Sequence, residues 1–103
     1  MNTSDVRVVR IYLTEGQKQY QQLISLLHDR EQVRGMTVFR GISGFGKSGK
    51  MHASTLLDLS LDLPVVLEFF DRPEKVATVL EDLKNLVEPG HIVSWGATVN
   101  SGE

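Results

Sequence analysis

The chain has 103 residues, 41% of them hydrophobic and 23% charged, with a formal net charge of −2. That length supports one core and no second domain, and the lack of a basic excess argues against a nucleic-acid partner. With no cysteine in the sequence, disulfides and thiolate metal sites are excluded.

The opening Met-Asn-Thr-Ser-Asp has neither the basic start nor the apolar run of a secretory signal. No apolar stretch approaches the ~20 residues a membrane span needs. The expectation is a cytoplasmic protein that does not itself cross a membrane.

Residues 6–13 (VRVVRIYL) predict a strand with Val9, Ile11 and Leu13 on one face. Arg7 shares that side, and Arg10 interrupts the other face between Val8 and Tyr12. Thr14 stands three residues before Gln17, the spacing of a capping box, in which two side chains satisfy each other's free backbone N–H groups. Tyr20, Leu23, Ile24 and Leu27 then fall at i, i+3, i+4 and i+7, one apolar stripe of a helix. This helix should end near residues 32–35, and His28 lies in its last turns, where a cation favours the helix dipole.

Residues 36–42 (MTVFRGI) read as a second strand. Residues 55–63 alternate leucine with Asp58, Ser60 and Asp62, the period of a half-buried strand or extended arm. The two aspartates read most simply as solubility residues. Pro64 precedes VVLEFF, the most β-prone run of the chain. Asp71 is placed as the N-cap of a second helix that carries Pro73 in its first turn. Val76, Leu80, Leu83 and Val87 form its stripe, and Glu88-Pro89-Gly90 ends it. Residues 91–99 (HIVSWGATV) give a last strand with Val93, Trp95, Ala97 and Val99 on one side, Trp95 belonging to the core or to a subunit interface.

Strand, helix, strand, long loop, strand, helix, strand is the order of a ferredoxin-like βαββαβ domain. The fold class is α+β: a four-stranded antiparallel sheet with two helices on one face. The opposite sheet face is too apolar for solvent alone, so a homo-oligomer packed through that face is expected.

Four of the nine glycines fall in residues 41–52, GISGFGKSGKMH. Residues 41–48 match the Walker A string and residues 44–49 the dinucleotide string G-x-G-x-x-G. Neither fits the fold. Both need a helix to begin where Gly49 stands, and glycine there opposes it. What survives is local chemistry: a glycine-rich loop exposes main-chain N–H groups to an anion, and Arg40, Lys47, Lys50 and His52 can add positive charge beside it. The alternative is a mobile hairpin tip with solvated lysines. His91, after Pro89-Gly90, is either a turn residue or a phosphate contact. No Ser/His/Asp, paired-carboxylate or metal-ligand pattern stands out, so no catalytic residue and no metal ligand is assigned.

The order of elements and this loop together resemble the PII-like superfamily of trimeric signalling proteins, and more narrowly its branch known as domain of unknown function one-ninety. The carrying residues are the VRIYL run ending at Leu13, VFRGISGFG of residues 38–46, Gly49 with His52, LLDLSLDLP of residues 56–64, and residues 65–74. The resemblance covers nearly the whole chain, as one PII-like domain over residues 1–103 with an effector loop at about 41–56. It implies a small non-enzymatic regulator that binds an anionic effector, an adenine nucleotide (ATP, ADP or AMP), in clefts between the subunits of a homotrimer. By position, the ligand-binding residues are Arg40, Gly41, Gly44, Phe45, Gly46, Lys47, Lys50 and His52 on the loop, with Gly90 and His91 on the second wall, which Glu88, Pro89, Gly90 and His91 form. The loop is shorter than in well-studied PII proteins, and the tyrosine modified there has no counterpart. The branch is often encoded beside fluoride exporters, which implies a membrane transporter or channel as partner. Two other readings are a phosphohydrolase using His52 with an aspartate at the same loop, and a structural adaptor with no ligand.

Overall fold

A computed structural model of the chain describes residues 1–46, 49–53 and 62–102. Strand β1 (Thr3–Thr14) leads to helix α1 (Lys18–Ser25), which continues through a π-helical turn over Leu26–Arg30. Strand β2 (Met36–Arg40) is followed by two short strands, β3 (Ser43–Phe45) and β4 (Met51–Ala53), then β5 (Pro64–Asp71), α2 (Pro73–Leu83) and β6 (Ile92–Asn100). The main sheet has the order β2-β5-β1-β6 with every neighbouring pair antiparallel. β1 and β2 therefore run parallel with β5 between them, the split arrangement expected of a ferredoxin-like domain.

Alternation sets the two sheet faces. Val9, Ile11 and Leu13 of β1 and Val65, Leu67 and Phe69 of β5 are all buried. Leu23 of α1, Leu27 of the π-helical turn that continues it, and Val76, Val79 and Leu83 of α2 complete the same core. Both helices thus cover one face, held there by burial worth about 1.5–3 kcal/mol per large aliphatic side chain. Val79, absent from the expected stripe, is fully buried, whereas Leu80 is half-buried.

Several local expectations are corrected. The capping box forms by half: the Thr14 N–H donates to Gln17 Oε1 at 3.0 Å, but the helix begins after Gln17, which has no side-chain cap. Asp71 is not the cap of α2, whose N-cap is Arg72. It is the buried last residue of β5, accepting the Arg34 N–H at 2.9 Å and the Arg72 N–H at 2.8 Å. Its carboxylate ties the chain before β2 to the start of α2. β2 ends at Arg40 rather than residue 42, and part of the expected loop is the β3–β4 ribbon. The alternating segment expected over 55–63 lies outside the described residues up to position 61. Asp62 is no simple solubility residue, since its Oδ1 accepts the Gly16 N–H at 2.9 Å.

Glu31, at the exit of α1, has Oε1 buried without a hydrogen-bond partner. Burial, and then the Asp82 carboxyl of α2, raise its pKa above the ordinary carboxylate value. The folded chain therefore holds this proton to higher pH than the unfolded chain does. The group favours folding below an unfolded value near 4.5, and that contribution is lost as pH rises through its raised pKa. Glu31→Gln is expected to raise the melting temperature by ~2–4 °C near neutral pH. The gain should vanish below about pH 4.5, as thermal unfolding at several pH values will show.

Candidate functional site

At one end of the sheet a cleft of about 810 Å³ lies between the root of the ribbon and the turn before β6, within the ~300–1,000 Å³ of small-molecule sites. Leu13, Pro64, Val65 and Val66 supply apolar lining, Gly41, Gly44, Phe45, Gly46 and Lys50 come from the loop, and Glu88 and His91 from the turn. Tyr12, Thr14 and Gln17 also reach it, and none of the three was singled out from sequence as a ligand residue.

The ribbon pairs Ser43 with Ala53, Gly44 with His52 and Phe45 with Met51. Its tip closes through a Gly49 N–H to Gly46 O bond of 2.9 Å, with Gly49 at φ +76°, a left-handed conformation that favours glycine. Its root is fastened twice. The Arg40 guanidinium grips Glu15 in a fork, Nε to Oε1 at 2.6 Å and NH2 to Oε2 at 3.1 Å. On the returning side, the Glu15 N–H donates to Leu63 O at 2.9 Å, and Asp62 holds Gly16. Both ends of the loop are thereby stapled to the β1–α1 connection.

Of the residues expected at the site, Gly41, Gly44, Phe45, Gly46, Lys50 and His91 line the cleft. Arg40 does not, being engaged with Glu15 beside it. Gly90 shapes the turn at φ +93° without lining the cleft. Lys47 lies outside the described residues, and His52 is placed by its backbone in β4, opposite Gly44.

His91 is tightly positioned. Its ring Nδ1 lies 2.9 Å from the Tyr12 carbonyl oxygen, and the Tyr12 N–H donates to His91 O at 2.9 Å. A carbonyl only accepts, so Nδ1 carries the proton and Nε2 is the variable position. Nε2 stands 3.7 Å from Glu88 Oε2. Among the described residues no group of three or more histidine and carboxylate side chains is arranged to hold a metal ion.

The sheet face away from the helices carries a second feature. Tyr12, Phe39, Val93 and Trp95 are all substantially exposed there, and Trp95 belongs to this face rather than to the core. Arg10 sits among them, 5.9 Å from the Phe39 ring centre and 5.6 Å from that of Trp95. Its Nε is 2.6 Å from Glu68 Oε1. Cation–π contact and a paired carboxylate let a guanidinium lie on an apolar surface. Tyr12 and Val66 belong to this face as well as to the cleft, so the cleft opens at the edge of the exposed sheet. No helix among the described residues is long and apolar enough to cross a membrane.

Similarity to known proteins agrees with this architecture. A UPF0166 protein of Methanocaldococcus jannaschii is 33% identical over 103 residues, covering 94% of each chain. One from Aquifex aeolicus is 35% identical over 83 residues, 76% of this chain and 78% of its own. Among solved structures, CPII, a nitrogen regulatory PII-like protein from Thiomonas intermedia K12 bound to ADP, AMP and bicarbonate, superposes with a TM-score of 0.69. It has 24% identity and covers 99% of this chain and 92% of its own. Residues 6–99 match the DUF190 family, described as Uncharacterized ACR. The chain belongs to that family and has a PII-like fold.

Proposed function

We propose that this protein is a small non-enzymatic regulator that binds an adenine nucleotide (ATP, ADP or AMP) in the cleft and works as a homotrimer through its exposed sheet face. The observation that carries the reading is the cleft itself. An apolar floor suited to a base is bordered by a glycine-rich ribbon with Lys50 and, opposite, by the fixed ring of His91. CPII, which shares the fold, is described with ADP and AMP bound. Because the cleft opens onto the exposed face, a copy packed there closes it, and nucleotide and assembly are coupled. The protein would act in the cytoplasm.

Isothermal titration with ATP, ADP and AMP tests this. Saturable heat with at least one of them is expected, and no heat with any at millimolar concentration overturns the nucleotide reading. Lys50→Ala should weaken binding roughly three- to fivefold, the worth of an exposed charge pair, with no change in the circular dichroism spectrum.

A second reading, an adaptor that binds no small molecule, draws support from the ribbon. Ile42, Phe45 and Met51 are 85%, 71% and 59% exposed, more apolar surface than a solvated tip requires. We place a membrane transporter or channel as the partner of this ribbon in either reading. Retention of the protein on membranes, measured with and without nucleotide, separates the two: a regulator responds to the nucleotide and an adaptor does not.

A further inference from the structure

We infer that Glu88 is a built-in competitor for the anion-binding nitrogen of His91, holding the place that a ligand phosphate takes. This rests on the nucleotide reading above and assigns the residue that sets its affinity. Glu88 and His91 both line the cleft, three residues apart across the Pro89-Gly90 turn. That turn is closed by the His91 N–H on Glu88 O at 3.3 Å and by Gly90 at φ +93°.

The histidine ring cannot turn to avoid its neighbour. Nδ1–H is committed to the Tyr12 carbonyl, and β1 and β6 hold that carbonyl in the sheet. Only Nε2 is left to meet an anion, and it has a proton to donate only in the imidazolium form. The Glu88 carboxylate reaches that same atom, at 3.7 Å.

In the imidazolium form one donor thus faces two acceptors: the carboxylate already there and any phosphate that enters. The partners differ in freedom. The His91 side chain is 25% exposed and fixed, whereas the Glu88 side chain is 74% exposed and free to swing into solvent when displaced. Displacement costs the ligand the Glu88–His91 attraction, so Glu88 weakens anion binding without altering the shape of the cleft. A doubly charged phosphate competes better than a singly charged carboxylate, which makes the pair a filter for phosphorylated ligands.

The test combines titration with ADP and imidazole nitrogen NMR on the full chain, comparing wild type, Glu88→Gln, His91→Gln and the double variant, each checked for folding by thermal melting. Glu88→Gln should tighten ADP binding about three- to fivefold, the range for an exposed pair. In the His91→Gln background the same change should give no gain. Unchanged or weaker binding in Glu88→Gln overturns the inference, and so does a gain that persists without His91, since Glu88 would then repel anions through space only. In the free protein, the His91 Nε2 resonance should move on Glu88→Gln while the Nδ1–H signal stays. Identical spectra remove the pairing. If no variant responds to ADP, AMP or inorganic phosphate, the nucleotide reading and the competition built on it both fall, while the free-protein spectra still decide whether the two side chains pair.

Discussion

Trp95→Asp is expected to leave the fold intact and reduce the proposed trimer to a monomer, seen by light scattering as an about threefold loss of mass, because tryptophan is among the residues enriched as anchors of such contacts. Trp95 stands opposite Val8 in the β1–β6 register, next to Val93 and beneath the Arg10 guanidinium. In an isolated subunit the residue is 39% exposed, so an aspartate there meets water and the core is untouched. In an assembly closed through this face the same carboxylate would lose its hydration without a partner, a cost of several kcal/mol. Arg10 offers no rescue, being already paired with Glu68. Trp95→Phe keeps the apolar contact and should preserve the trimer. If wild type is itself a monomer at micromolar concentration, the face is not a self-interface. Should Trp95→Asp dissociate the trimer, ADP binding is expected to fall with it, because the cleft shares Tyr12 and Val66 with that face.

Short-range periodicity made most of this fold legible. The odd positions of β1, the leucine stripe of α1 and the Pro73 start of α2 follow from local pattern alone, since each depends on residues within a turn or a pleat of one another. The glycine-rich stretch was likewise visible as a loop between antiparallel strands. The features that escaped are acceptors serving distant backbone or distant side chains. Asp62 and Gly16 are 46 positions apart, Asp71 and Arg34 are 37 apart, and Arg40 meets Glu15 across 25. A lone acid in a sequence looks the same whether it is solvated, capping the next helix or holding a remote N–H. Arg40 illustrates the consequence for the site: its charge beside a glycine-rich loop suggested an anion contact, and the fold spends it on fastening that loop. Tyr12 was invisible for a different reason. It acts through its backbone carbonyl, which every residue possesses, and only the register of β1 against β6 brings that carbonyl to His91.

Gly41→Ala is expected to destabilise the protein by about 1–2 kcal/mol, the range for forcing extra atoms into a packed contact. That corresponds to a fall of roughly 5–15 °C in melting temperature for a domain of this size. A Cβ at position 41 would lie 2.8 Å from Pro64 Cγ and 3.4 Å from Pro64 O, and a proline ring cannot rotate away. Nor can the backbone easily retreat, because the Gly41 N–H donates to Pro64 O at 2.7 Å. Gly46 is the control, with nothing among the described residues within 4 Å of an added Cβ and no left-handed backbone requirement. Gly46→Ala should be neutral or slightly stabilising, since it restricts only the unfolded chain. Gly49 differs from Gly41, needing glycine for its φ of +76°, with nothing among the described residues crowding an added Cβ. The glycines of this stretch therefore answer to separate constraints: close approach of a proline at the root, a left-handed turn at the tip, and neither at Gly46. If Gly41→Ala and Gly46→Ala melt alike, the contact with Pro64 does not hold the root of the ribbon. If only Gly41→Ala is destabilised and also loses ADP, the root sets the geometry of the cleft, and the nucleotide-binding strings in the sequence reflect the steric demand of one strand junction rather than a phosphate-binding helix.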